Sequence, residues 1–447
     1  MTRIAAIIAH LSFGIGALPC RADSPYHFDR VRNFTGLDHA GYASLSDSLP
    51  GSLLLTRFGA APFFGKSQVS LVDLESGEFH DVATNIDWPN VATVVDEAIF
   101  GFKAAIVGAG FLVPSHTTGG MWIVELATEP KVLTNGPVKI TKDLNNWYPD
   151  SGWFYHKGAL VDMNGDGLSD IVTSRCEYSV EPWNPKQGTL VWLQHPSAGA
   201  LNGTAWVEHP MQDGPDFLFE LAPMTGSETE LHVCAAEFIG EQLAYIHGSE
   251  NTGYSKRIVD GDLGPGFGCT WVDLNGDGKL DLLATNHVNQ NGSVFAYSWE
   301  GDLSDTPSIQ RHVLASGFDA TSTSQGKASP GDAIPFFAET SRKPGDGSKP
   351  LVLVSADNGN YVAVLVPNAP HDASDWTYTR QIVEYIGADV GRIAVGDSDG
   401  DGYNELFVPA YDLGQVVQFK VQPANISTRQ EDEGAATASL EVPTVVV

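Results

Sequence analysis

The chain has 447 residues, 25 of them basic and 55 acidic, for a formal charge of −30. Such a charge repels nucleic-acid phosphates and anionic membranes, so no nucleic-acid or membrane partner is expected, and cations and neutral small molecules are favoured. Four cysteines are too few for a disulfide scaffold, and stability must come from a large core.

In chain order, Arg3 precedes the apolar run Ile4–Leu18 and the short segment Cys20-Arg21-Ala22, the pattern of a secretory signal over residues 1–22. The mature protein is expected to start near Asp23 and to be secreted or held in the secretory-pathway lumen. Later stretches fall short of the roughly 18 apolar residues that a spanning helix needs. Asn33, Asn202, Asn291 and Asn425 each open an N-x-[ST] triplet, so they are candidate glycosylation sites.

A short apolar strand then recurs seven times, starting at Ser67, Gly119, Gly188, Gln242, Gly292, Asn360 and Gly414, a spacing of 50 to 69 residues. That interval holds one small antiparallel sheet. Six copies are followed by a second, more polar strand: Phe79–Val82, Pro130–Leu133, Ala205–His209, Ser255–Val259, Gln310–Leu314 and Tyr378–Val383. Alternation with charge suits an outer edge strand. The seventh copy runs into the polar tail, residues 426–447, without such a partner. Tyr26–Val31 has the missing pattern and is expected to complete the last blade. The reading is an all-β chain, a single β-propeller of about seven four-stranded blades over residues 23–425, closed by an N-terminal strand in the last blade.

Three segments between apolar strands share one acidic pattern. Ligands for a hard cation are expected from Asp162, Asn164, Asp166, Leu168 and Asp170, from Asp273, Asn275, Asp277, Lys279 and Asp281, and from Asp397, Asp399, Asp401, Tyr403 and Glu405. In each set the seventh position offers its carbonyl and the others a side-chain oxygen, the donor set that calcium prefers. Glycine at the sixth position allows the sharp turn. An EF-hand is excluded, because its twelfth-position Glu is replaced by Thr173, Ala284 and Val408.

With the acidic loops on one face, the second-to-third-strand loops and the between-blade loops must gather on the other. These hold Arg57, Phe63, Phe64, His116, Arg175, Glu177, Tyr178, His287, Asp357, Tyr411 and Asp412, then His39, Tyr42, Trp88 and the insert Asn145–Lys157. Aromatics with a few His, Arg and Lys groups suit a pocket for a flat or apolar ligand. No nucleophile elbow, HExxH motif, Walker loop or GxGxxG fingerprint occurs, so no organic cofactor is expected.

The acidic loops resemble those of the FG-GAP or VCBS repeats, the calcium-loop propellers typified by integrin alpha chains, and the likeness runs from about Tyr26 to Val421. It implies that the loops join the first and second strands of a blade and that calcium is structural. Four blades depart from the pattern, with Ala104, Glu237 and residues 343–349 standing in place of acidic loops. The overall organisation is similar to that of fungal hetero-Diels–Alderases of tropolonic sesquiterpene biosynthesis. That resemblance implies dehydration of a hydroxymethyl tropolone or phenol to an o-quinone methide, then cycloaddition to a humulene-type alkene to give a dihydropyran. On it, Arg175, His156, Lys157, Tyr148 and His287 are the candidate catalytic donors, and Trp147, Trp153, Phe64, His116 and Tyr411 the candidate substrate contacts. Two alternatives stand beside it. One is a sugar dehydratase similar to the propeller part of aldos-2-ulose dehydratases, using Asp150, Glu177, Asp357 and Asn358. The other is a non-catalytic carbohydrate-binding propeller, which the single Asn145–Lys157 insert disfavours.

Overall fold

The computed structural model describes residues 25–59, 67–84, 86–111, 119–126, 136–142, 152–178, 188–203, 205–223, 230–323 and 327–424. The proposed leader and tail lie outside these residues. One compact unit spans Tyr26–Pro423.

Its first strand, β1 (Tyr26–Thr35), belongs to the last blade. Blade 1 is β2 (Ala40–Ser44), β3 (Ser52–Arg57), β4 (Gln68–Asp73) and β5 (Phe79–Ala83). Blade 2 is β6 (Pro89–Val95), β7 (Ala104–Ala109), β8 (Gly120–Glu125) and β9 (Val138–Lys139). Blade 3 is β10 (Gly152–Val161), β11 (Asp170–Tyr178), β12 (Thr189–Gln194) and β13 (Val207–Asp213). Blade 4 is β14 (Leu218–Leu221), β15 (Leu231–Glu237), β16 (Gln242–Ser249) and β17 (Gly253–Asp260). Blade 5 is β18 (Gly266–Val272), β19 (Asp281–Asn286), β20 (Gly292–Glu300) and β21 (Ser308–Phe318). Blade 6 is β22 (Ala333–Phe336), β23 (Leu351–Ser355), β24 (Tyr361–Pro367) and β25 (Tyr378–Tyr385). Blade 7 has β26 (Ala394–Gly396), β27 (Glu405–Ala410), β28 (Gln415–Pro423) and then β1.

This is a seven-bladed propeller of four-stranded antiparallel sheets. All seven recurrent apolar strands are the third strands of their blades. The closing strand is where the pattern put it: β1 runs antiparallel to β28 from Tyr26 opposite Pro423 to Thr35 opposite Gln415. One expected element differs. The described outer strand of blade 2 is Val138–Lys139, paired with Trp122 and Ile123, whereas Pro130–Leu133 lies outside the described residues.

Burial explains the two strand types. β7 and β27 are buried at every position, because neighbouring blades cover both faces of the middle strands, which therefore read as continuous apolar runs. Outer strands such as β17 and β25 have no fully buried position and carry charged residues, Lys256, Arg257, Arg380 and Glu384 among them, which blunt a free edge. The core fills the spaces between blades. Leu353, Val362 and Val364 of blade 6, for example, meet Leu406, Val408, Val417 and Phe419 of blade 7. Among the described residues Cys176, Cys234 and Cys269 form no disulfide. Among the described residues no helix is long and apolar enough to cross a membrane.

Candidate functional site

The three acidic segments are the hairpins between β10 and β11, β18 and β19, and β26 and β27, so all lie on one face of the ring. Each folds alike. The first carboxylate accepts backbone N–H groups from the turn: Gly165, Asp166 and Gly167 donate to Asp162, Gly276, Asp277 and Gly278 to Asp273, and Gly400 and Gly402 to Asp397. These turns need a left-handed backbone, and glycine supplies it, with φ of 83°, 84° and 92° at Gly167, Gly278 and Gly402. The ninth-position carboxylates, Asp170, Asp281 and Glu405, are buried, and burial pushes each proton affinity upward, to about 7 at Asp281. In the blade 7 loop, carboxylate oxygens of Asp397, Asp399, Asp401 and Glu405 lie within 4.8 Å of one another, and Glu405 Oε1 is buried without a hydrogen-bond partner. A buried, unsatisfied carboxylate oxygen among three others fits a hard cation.

The opposite face carries a cavity of about 330 Å³ on the ring axis. One wall is aromatic. Trp88 stacks between Phe58 and Phe111, with centroids 5.0 Å away on each side and planes 4° and 12° apart. Tyr42 meets Phe58 edge-on at 5.5 Å, Tyr411 lies 6.0 Å from Phe58, and Phe267 lies further round. Burial pushes the hydroxyl pKa of Tyr42 upward and that of Tyr411 to about 12, so both stay protonated donors.

The other wall is made of opposed charges. Lys327 pairs with Asp389, and Arg392 Nε lies 3.3 Å from Asp332. His287 Nε2 lies 2.9 Å from Asp357 Oδ2. With Nε2 as the donor to that carboxylate, Nδ1 keeps its lone pair, and it is buried with no hydrogen-bond partner. A His–carboxylate couple with cationic donors alongside can take a proton and stabilise a developing oxyanion. Two non-glycine residues of the lining hold left-handed backbones, Trp88 (φ 49°) and Asp357 (φ 45°), and such strain concentrates at binding sites.

Of the residues singled out in the sequence, Tyr42, Trp88, His287 and Tyr411 line this cavity, as do Asp357 and Asn358. Arg175 does not: it pairs with Glu208 and sits 3.9 Å over the ring of Trp153 on blade 3, so neither residue of that couple faces the axis. Lys157 pairs with Glu220 and lines a smaller recess of about 80 Å³, which shares Leu218, Asp332 and Arg392 with the cavity. His156 stands behind the wall against Phe217, at 4.6 Å, and burial drives its pKa down to about 3, so it is a neutral ring in an apolar setting. Phe64, His116, Trp147, Tyr148 and Asp150 lie outside the described residues. Phe58, Phe111, Phe267, Lys327, Asp332, Asp389 and Arg392 were not singled out. A signal for the last four was present, since Lys327–Asp332 and Asp389–Arg392 occupy the between-blade segments that must reach this face.

No family model matches the chain, and no curated protein matches it in sequence. Among solved structures, the chain is similar to the crystal structure of puromycin hydrolase, with a TM-score of 0.45 and 11% identity. The similarity covers 90% of this chain and 56% of that one, so the chain spans just over half the length of that structure.

Proposed function

We propose that this protein is a secreted enzyme of small-molecule metabolism whose axial cavity holds a flat, largely apolar substrate. The observation that supports the reading is the division of the lining, with the Phe58–Trp88–Phe111 stack facing three acid–base pairs. A few convergent polar groups on an apolar wall orient a ligand without binding it through charge.

The finer reading is a hetero-Diels–Alderase. A hydroxymethyl tropolone or phenol lies against the stacked rings. The His287–Asp357 couple takes the ring hydroxyl proton while Lys327 protonates the departing hydroxymethyl oxygen, so that water leaves and an o-quinone methide remains. Exchange with solvent then returns the proton from His287 to Lys327. Arg392 and Tyr411 supply hydrogen bonds to the quinone methide carbonyl, and the rings hold a humulene-type alkene in register. Orientation supplies the larger share of the acceleration in a cycloaddition of this kind.

The test is incubation with a hydroxymethyl tropolone and a humulene alcohol, with product followed by chiral chromatography. One enantiomer of the dihydropyran, formed faster than without protein, is the expected result. A racemic product at the background rate sinks the reading.

A sugar dehydratase is the second reading, favoured by Asp332, Asp357, Asn358 and Asp389 on the same wall. Dehydration of a ketosugar, with no action on the tropolone, would select it. A carbohydrate-binding propeller without catalysis is the reading left if neither substrate reacts and a glycan binds.

The acidic hairpins are proposed to hold structural calcium through the residues named for each loop. Calcium there supplies charge neutralisation and stiffens the hairpin. Secretion and glycosylation belong to the same proposal, supported by the exposure of Asn33, Asn202 and Asn291; Asn425 lies outside the described residues.

A further inference from the structure

The three acidic hairpins differ in one respect that bears on the metal. The loops of blades 3 and 5 carry three carboxylates with Asn164 and Asn275 at the third position, whereas the blade 7 loop carries a fourth carboxylate there, Asp399. A cation of the protein's own answers it. Lys420 Nζ lies 2.5 Å from Asp399 Oδ2 and 2.9 Å from Asp401 Oδ2.

This placement follows from backbone register. Lys420 on β28 stands directly opposite Glu405 on one side and Asp29 of the closing strand on the other. Directly opposed residues of an antiparallel ladder share a face. Glu405, Lys420 and Asp29 therefore form a row across blade 7, which begins at the loop's last ligand and ends on the strand that closes the ring. Continuing the register of β11 with β12, and of β19 with β20, puts Gln194 opposite Asp170 and Ser298 opposite Asp281. Both are neutral. Only the loop with the extra carboxylate has an ammonium across from it, and the two cancel; the blade 5 loop instead carries a cation of its own, Lys279, at its seventh position. Glu405 adds an independent sign that a cation belongs here, since it is fully buried and its Oε1 has no partner among the four clustered carboxylates.

We propose that Lys420 is a tethered cation that competes with a divalent metal for the blade 7 loop. This loop then binds calcium more weakly than the other two, and on binding, Lys420 turns from Asp399 and Asp401 to Asp29. The proposal rests on the reading that the acidic loops bind calcium. It adds a calcium-dependent contact between the loop and the closing strand.

The experiment is calorimetric titration of the chelator-stripped full chain with calcium, for the wild type and for Lys420→Met and Lys420→Gln. The expected result is two tight sites and one weak site in the wild type, with the weak site tightened by roughly tenfold in both variants, the change that about 1.4 kcal/mol of lost competition gives. Adding Asp397→Asn to Lys420→Met then abolishes the tightened site and assigns it to blade 7. Unchanged affinities in both variants, with the loops of blades 3 and 5 still titrating, overturn the proposal alone. If no site titrates in any of these proteins, the calcium reading falls and takes the proposal with it.

Discussion

Asp357 combines a left-handed backbone with the carboxylate that orients His287, so one residue carries both strain and chemistry. Asparagine tolerates that backbone and keeps a hydrogen-bond acceptor while removing the charge. In the proposed dehydration, Asp357→Asn is expected to lower kcat by roughly 100-fold or more with little change in Tm, the size of effect that weakening a general base gives. A variant as fast as the wild type would remove the His287–Asp357 couple from the mechanism. His156 tests burial. Its folded pKa of about 3 lies below the ordinary 6.5, so between those values the unfolded chain takes up a proton that the folded one refuses, and stability falls as pH drops. The slope is about 1.4 kcal/mol per pH unit at most. His156→Phe, which also removes the unpartnered Nε2, is expected to flatten the decline in urea midpoint between pH 6.5 and 4.5. An identical decline in both proteins would contradict the burial argument. These residue-scale facts were the least legible in the sequence. Arg175 reads as a free donor until Glu208, 33 residues away, and the ring of Trp153 are seen to hold it.

At the scale of strands and hairpins, local pattern was informative because each element is built from contiguous residues. Continuous apolar runs marked the third strands, and the period of the acidic pattern marked three first-to-second-strand hairpins. If calcium fills those hairpins, chelation is expected to lower Tm by several degrees and excess calcium to restore it, since a ligand that binds only the folded state stabilises it by mass action. A melting curve indifferent to chelator would remove calcium from the account. Contacts between elements were not readable. Gly391 shows why: a Cβ there would lie 1.8 Å from the Gly41 carbonyl oxygen, where the Arg392 amide bonds that same oxygen and joins blade 7 to blade 1. Gly391→Ala is expected to cost about 1–3 kcal/mol in urea unfolding, the usual range for overpacking against atoms that cannot move aside.

The whole ring is held shut by pairing between the two ends of one sheet. β1 covers the outer edge of β28, and Leu37 N–H continues the contact to the Gly414 carbonyl. Deleting residues 1–35 is expected to expose β28 along its length and to give a chain that melts lower and self-associates, as size-exclusion chromatography and a thermal scan would show. A monomer of unchanged Tm would mean that closure comes from blade-to-blade packing alone. The sequence by itself determined the seven sheets, the closing strand and the acidic face, because strand period, repeat spacing and turn residues are properties of neighbouring positions. Only the tertiary structure decided the cavity. Tyr42, His287, Asp357 and Arg392 are far apart in the chain, and they meet because seven blades each turn one end of a strand toward the same axis. Which of those side chains points inward depends on packing against the adjacent blade, and spacing along the chain carries no record of that.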